Sequence, residues 1–219
     1  MTIKPVLFCD LDGVLLDSES NLIWLIRSIK KTLSHFHIPL TDEHLANLHF
    51  QNIGAFKEVS KQLCIDPNVL WPIRNQYYTK EKLTAMKQRI INPFSDINVL
   101  YQLKNDFRLG IISNSPQSVV DFFVSEYGFT DLFSINIGRG STMWDIEHLK
   151  PDIYLFTKAK SLIDTDQLFY IGDRETDRIF AQKAGMRYYH LNREKQQENS
   201  YSSLKEIVSV LQYGTRKND

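Results

Sequence analysis

The sequence predicts an α/β protein: a parallel sheet with helices on both faces, interrupted by an all-helical insertion. Three observations carry that expectation. Short apolar runs of strand length alternate with helical patterns, polar residues sit directly after those runs, and in one long stretch the alternation stops. Strand, helix and strand in repetition build a parallel sheet covered on both sides.

The strand-length runs are residues 5–9, 109–112, 135–137, 168–171 and 188–191, and helical periodicity covers 99–103, 118–127, 153–163 and 176–184. In such sheets ligands bind beyond the carboxyl ends of the strands, where strand order reverses. Asp10 and Asp12 follow the first run, Ser113 and Asn114 the second, and Gly172 and Asp173 the fourth. Side by side, these ends would gather several carboxylates and a hydroxyl in one crevice. From 18 to 91 the chain reads as successive helices, 22–36, 42–48, 55–63 and 69–86, with no credible strand. Thr41-Asp42-Glu43-His44 offers a capping start, and Asn92-Pro93 ends the helical pattern. Residues 214–219 are polar with no apolar face and are expected to form a frayed tail.

At 219 residues the chain is long enough for a full core, and 26 basic residues against 26 acidic ones leave no strong field. That balance argues against nucleic acid or an anionic membrane as partner and for a small metabolite, with the protein a monomer or weak homodimer. The opening apolar run is too short for a signal peptide, and no stretch of about 18 apolar residues occurs. Cys9 and Cys64 lie far apart without metal-ligand spacing, which predicts a reducing, cytoplasmic setting and a buried structural role for Cys9.

Two aspartates in one tight loop after a buried strand, with Asp173 and Asp177 nearby, would repel one another unless a cation intervened. Mg²⁺, a hard cation with oxygen ligands, suits such a site when it also holds a phosphate. Lys150 would supply a fixed positive charge, and Ser113 with nearby backbone N–H groups hydrogen-bond donors.

Four motifs in order, Asp10-Leu11-Asp12-Gly13-Val14, Ile111-Ile112-Ser113-Asn114, Lys150-Pro151 and Gly172-Asp173-Arg174-Glu175-Thr176-Asp177, resemble those of the haloacid dehalogenase-like hydrolases. The similarity is to the phosphatase branch with a helical cap after the first motif, the branch of phosphoglycolate phosphatase-like and beta-phosphoglucomutase-like proteins. It implies a Rossmann-like core of residues 1–17 and 92–219, a cap of 18–91, and Mg²⁺-dependent hydrolysis of a small phosphate monoester through an aspartyl-phosphate. Asp10 would be the nucleophile, Asp12 the general acid and then base, and Ser113, Asn114 and Lys150 the phosphate contacts. Metal ligation would fall to Asp10, the Asp12 backbone carbonyl and Asp173, with Asp177 in an outer shell. Asp12 favours phosphoryl chemistry, since the carbon–halogen branch has no need of that acid.

The lysine motif departs from the common Lys-Pro-x-Pro pattern by running straight into Asp152-Ile153-Tyr154, with Pro151 expected in a first helical turn. Arg174 stands where a small residue is common and is expected to pair with Glu175 or Asp177, or to face solvent. In the cap, His49, Gln51, Asn52 and Lys57 flank Gly54; Gln51, Asn52 and Lys57 are candidate substrate contacts, although a solvated face is the simpler reading. His35, His37 and His44 read as helix-face or helix-end residues, and Trp24, Trp71, Phe122 and Phe123 as packing residues. Competing functions are a sugar phosphomutase built on the same residues and a regulatory protein that binds phosphate esters with little turnover. A phosphonate-cleaving relative is disfavoured, because that branch departs from Asp-x-Asp and relies on a cap lysine that the sequence does not single out.

Overall fold

The computed structural model describes residues 3–48, 53–194 and 198–215. Its first strand, β1 (Val6–Cys9), is buried throughout: Leu7 and Cys9 join one apolar cluster, Val6 and Phe8 another. A strand covered on both faces calls for a continuous apolar run, which is why these residues show no alternation.

After β1 come β2 (Leu16–Asp17), the helices α1 (Ile23–His35), α2 (Asp42–Leu48), α3 (Ile53–Gln62) and α4 (Pro67–Lys87), and then β3 (Asn92–Pro93). β2 and β3 pair antiparallel, so two residues at each end of the helical insertion tie its entry to its exit. A two-residue strand carries no periodicity, and neither was expected from the sequence.

A 3-10 helix (Ile97–Leu103) leads to β4 (Arg108–Pro116), α5 (Gln117–Glu126), β5 (Phe133–Arg139), α6 (Met143–Glu147), α7 (Tyr154–Lys160), β6 (Leu168–Gly172), α8 (Glu175–Lys183), β7 (Arg187–His190) and α9 (Leu204–Thr215). The main sheet runs β5-β4-β1-β6-β7, with neighbours parallel. β1 is central, and the chain builds outward from it first through β4 and β5, then on the other side through β6 and β7. Strand order therefore reverses at the carboxyl end of β1, where a crevice is expected.

Two expectations are corrected. Gly214 and Thr215 close α9 rather than opening a tail, because Leu204, Ile207, Val208 and Leu211 bury a helical stripe in the larger cluster; 216–219 lie outside the described residues. Pro151 lies three positions before α7, which begins at Tyr154, so it is not in that helix's first turn.

The insertion rests on the sheet unit through a small cluster of Phe56, Leu70 and Trp71 with Ile146 of α6. Trp71 Nε1 donates to the Ser141 carbonyl at 2.7 Å, and Lys57 pairs with Glu147 at 3.0 Å. No helix among the described residues is long and apolar enough to cross a membrane.

Candidate active site

The switch point gathers acids. Asp10, directly after β1, accepts from the Leu11 N–H at 2.7 Å, and its other oxygen lies 2.9 Å from Lys150 Nζ. Asp173 directly follows β6 and Asp177 lies in the first turn of α8, and one carboxylate oxygen from each of Asp10, Asp173 and Asp177 falls within 4.8 Å of the others. Two glycines permit this closeness. Gly13 turns the chain at φ +78°, where a Cβ would lie 2.2 Å from Asp173 Oδ2, and a Cβ on Gly172 would lie 2.4 Å from that of Asp177.

One lysine faces these acids. Lys150 Nζ lies 2.6 Å from Asp177 Oδ1 and 2.8 Å from the Tyr170 hydroxyl, with its side chain 1 % exposed. Burial works against its charge, but Asp10 and Asp177 outweigh burial and its pKa rises. Burial pushes Asp10 up to about 6, opposed by Lys150 and reinforced by Asp177 and Asp12. Burial, then Asp10 and Asp177, push Asp173 up to about 8. Asp173 Oδ1 is buried with no hydrogen-bond partner among the described residues, while Arg174 Nε is 3.8 Å from Oδ2. Crowded carboxylates short of positive charge, with an oxygen lacking a donor, fit a hard divalent cation.

Asp12 turns its carboxylate away from this cluster toward the insertion. It accepts from Ser18 Oγ at 2.6 Å and Ser115 Oγ at 2.7 Å, and Lys82 Nζ of α4 lies 2.5 Å away. Lys82 also donates to Ser115 at 2.9 Å and stands over the Trp24 and Tyr78 rings at 5.1 and 5.5 Å. Burial alone would push the Asp12 carboxyl up, yet Lys82 and the two hydroxyls hold it below the usual range. Sequence reasoning missed Lys82, Ser18 and Ser115. Lys82 follows Lys80 and Glu81 in a polar helix, and nothing local separates it from a solvated charge; Ser115 could have been found from its place in Ser113-Asn114-Ser115-Pro116.

Other expected residues fall as follows. Ser113 is buried, and its Oγ accepts from the Ser115 N–H at 3.2 Å. The Asn114 side chain accepts from the Lys150 N–H at 2.8 Å and donates to the Lys150 carbonyl at 3.4 Å, so it fixes the lysine's backbone. Arg174 pairs with Glu19 rather than with Glu175 or Asp177, because Glu175 is taken by Arg178 and Asp177 by Lys150. Lys57 is engaged with Glu147 at the surface and does not line the cleft. Gln51 and Asn52, with His49, lie outside the described residues. Trp24 and Trp71 are buried as expected, but both also line the cleft.

Arg193 is a further addition. It donates to the Val14 carbonyl at 2.8 Å and the Gly13 carbonyl at 3.4 Å, pairs with both Asp96 oxygens at 3.0 and 3.1 Å, and lies over the Phe94 ring at 3.8 Å. It thereby clamps the loop that carries Asp10 and Asp12 onto the exit of the insertion.

Between insertion and sheet lies a cavity of about 160 Å³, lined among others by Asp12, Trp71, Arg74, Lys82, Arg139 and Lys150. That is well under the roughly 300–1,000 Å³ usual for drug-sized ligands.

The family model for haloacid dehalogenase-like hydrolase matches residues 6–191, which contain every strand of the sheet and all four motifs. The chain belongs to the haloacid dehalogenase-like hydrolases. It is 28% identical over 193 residues to the phosphoglycolate phosphatase of Yersinia pestis, covering 84% of this chain and 78% of that one. Against the phosphoglycolate phosphatase of Colwellia psychrerythraea the identity is 25% over 192 residues, covering 84% and 82%. In fold it matches a predicted phosphatase from Clostridium acetobutylicum, with TM-score 0.70, 20% identity and coverage of 97% and 100%. A predicted phosphoglycolate phosphatase from Haemophilus somnus gives TM-score 0.69, 21% identity and coverage of 96% and 99%. The family makes the chain a hydrolase, and the relatives that it resembles here are phosphatases.

Proposed function

We propose that this phosphatase hydrolyses a small phosphate monoester in two displacements on Asp10, with Mg²⁺ as its cofactor. The observation that carries the reading is the group of buried Asp10 and Asp177 and half-buried Asp173 around Lys150 at the switch point. Asp10, Asp173 and the Asp12 backbone carbonyl would hold the ion, with Asp177 behind them orienting Lys150. When bound, the ion offsets the repulsion between an anionic nucleophile and an anionic phosphoryl group.

The chain's own residues divide the remaining work. Asp10 attacks phosphorus and forms an aspartyl-phosphate as the ester oxygen departs. Lys150 and Ser113 stabilise the phosphoryl oxygens, and Asn114 holds Lys150 in place. Asp12 protonates the leaving alcohol, then takes the proton of the water that attacks the aspartyl-phosphate. Held ionised by Lys82, Asp12 is already in the form the second half needs; its proton for the first half enters with a monoanionic ester or from water. The insertion closes over the leaving group and limits bulk water. An exposed Cys64 and a buried Cys9, both free thiols, accord with a reducing cytoplasm.

The test is phosphate release from an aryl phosphate and a panel of sugar phosphates, phospho-acids and nucleotides, by wild type and Asp10→Asn, with Mg²⁺ and with EDTA. We expect turnover that needs both the metal and Asp10. Equal release by Asp10→Asn would remove the nucleophile from the account, and isomerisation of a hexose 1-phosphate without net release would favour the mutase.

A further inference from the structure

A tyrosine in the middle of a buried strand needs partners for its hydroxyl. Tyr170 of β6 is fully buried in the cluster that holds Val6, Phe8 and Ile112, and the Phe180 ring meets it in a T-shaped contact at 5.3 Å. Its hydroxyl donates to the Ile112 carbonyl at 2.8 Å and accepts from Lys150 Nζ at 2.8 Å. Chemistry fixes the direction of both bonds. An ammonium can only donate, so the Tyr170 oxygen accepts from Lys150 and its single hydrogen goes to the carbonyl. Burial, then Asp177 and Asp10, raise the tyrosine's pKa, so the hydroxyl keeps that hydrogen.

Lys150 has three N–H groups to place. Asp177 Oδ1 at 2.6 Å and Tyr170 at 2.8 Å take one each, which leaves the third between Asp10 Oδ2 at 2.9 Å and the Ile112 carbonyl at 3.4 Å. Because the Tyr170 hydroxyl already answers that carbonyl, the lysine is not needed there. The third N–H is therefore left to face Asp10, the side on which a phosphoryl group would sit. Asn114 fixes the lysine's backbone, and Asp177 and Tyr170 between them fix the direction of its ammonium.

We propose that Tyr170 is a positioning residue for the reaction: by accepting from Lys150 and donating to the Ile112 carbonyl, it aims the lysine's remaining N–H at the phosphoryl oxygens. This rests on the phosphatase reading for what the lysine grips, and on geometry alone for how the lysine is held. Phenylalanine at 170 would fill the same space but leave a buried carbonyl without its short donor, a state that buried backbone groups avoid. The ammonium is the neighbouring donor, so Nζ should close on Ile112 and draw away from Asp10.

Crystal structures of wild type and Tyr170→Phe test the geometry without any turnover. We expect the contact from Nζ to the Ile112 carbonyl to shorten to about 3.0 Å and the gap to Asp10 to open beyond about 3.5 Å; an ammonium that stays in place would overturn the proposal. Kinetics with Mg²⁺ test the consequence. A misdirected phosphate donor should lower kcat by about tenfold or more, with a smaller change in KM. The factor should be the same for p-nitrophenyl phosphate, whose leaving group needs no proton, as for alkyl phosphates, because the lysine acts on the phosphoryl group and not on the departing oxygen. Phe180→Leu, which loosens the packing of the ring but keeps the hydroxyl, should lower stability and spare kcat. Unchanged kcat in Tyr170→Phe, or an equal loss in Phe180→Leu, would reduce Tyr170 to a packing residue and overturn the assignment. Absence of turnover on every ester would sink the phosphatase reading alone, and the two crystal structures would still decide how the lysine is held. Should Tyr170→Phe fail to fold, neutron diffraction from wild-type crystals decides. A hydroxyl deuterium on the Ile112 carbonyl and an Nζ deuterium on the Tyr170 oxygen support the assignment, and any other arrangement overturns it.

Discussion

Replacing Lys82 with methionine would leave the Asp12 carboxylate with hydroxyl donors alone among the described side chains, Ser18 at 2.6 Å and Ser115 at 2.7 Å. An exposed ion pair is worth less than about 1 kcal/mol, whereas breaking a buried pair from one side costs about 3–5 kcal/mol, because an unanswered charge remains. The Lys82 side chain is 1 % exposed and that of Asp12 20 %. Partial access of Asp12 to water places the expected loss near the lower bound, about 3 kcal/mol, or about 6–12 °C in Tm for a chain of this size. The pH dependence has a definite sign. A carboxylate held below its ordinary value stabilises the fold above that value, 3.8 here, and the contribution is lost as pH falls through the lowered one; Lys82, raised above 10.5, contributes fully below that and loses its effect as pH rises. In the variant only the two hydroxyls oppose burial at Asp12, so its pKa rises relative to wild type, and the deficit is greatest near neutrality and shrinks as acid protonates Asp12. Thermal denaturation of metal-free wild type, Lys82→Met, Asp12→Asn and the double variant across about pH 4 to 8 measures both features. A loss under about 1 kcal/mol at neutral pH, or additive single effects in the cycle, would refute the buried-pair reasoning.

Further outcomes follow from the same geometry. Asp173 shifts from 3.8 to about 8, so between those values the metal-free fold binds more protons than the unfolded chain and its stability falls as pH rises. Mg²⁺ should therefore raise Tm more at the alkaline end of that window and release protons on binding, read by calorimetry in buffers of different ionisation enthalpy; a pH-independent shift would count against it. Arg193→Ala frees the Gly13 and Val14 carbonyls and should lower kcat about tenfold with a smaller change in KM. Arg193→Lys should rescue little, because lysine lacks the two-pronged contact with Asp96. Gly13→Ala combines φ +78° with a Cβ 2.2 Å from Asp173 Oδ2; denaturant titration should show a loss of about 1–3 kcal/mol or more, together with weaker Mg²⁺ affinity.

The sheet was legible because its central strand is buried on both faces and written as an unbroken apolar run, and because Asp10 and Asp173 directly follow β1 and β6; Ser113, expected after the second run, instead lies inside β4, which continues to Pro116. The family motifs brought Lys150 into the same frame. What the sequence hid depends on contacts between distant segments. Lys82 approaches Asp12 across 70 positions, Arg193 reaches Gly13 across 180, and Ser115 meets Asp12 across 103. A helix such as α4 also defeats periodicity: Leu70 and Trp71 are buried beside Arg74, Glu81 and Lys82, so charged residues occupy a face that amphipathic patterning assigns to apolar ones.

That misplaced charge is where the fold and the chemistry meet. The strand ends supply aspartates because short carboxylates on tight loops can converge on one ion. The insertion supplies lysine and arginine because long, cationic side chains can cross a cleft from a helix. On the proposed reading, an ester between them would meet Lys150 beside Asp10 and Asp177 at one end and the Lys82–Asp12 pair at the other. The insertion's lysine, not the strand end, then keeps Asp12 ionised, so the state of the acid on the loop is set from across the cleft.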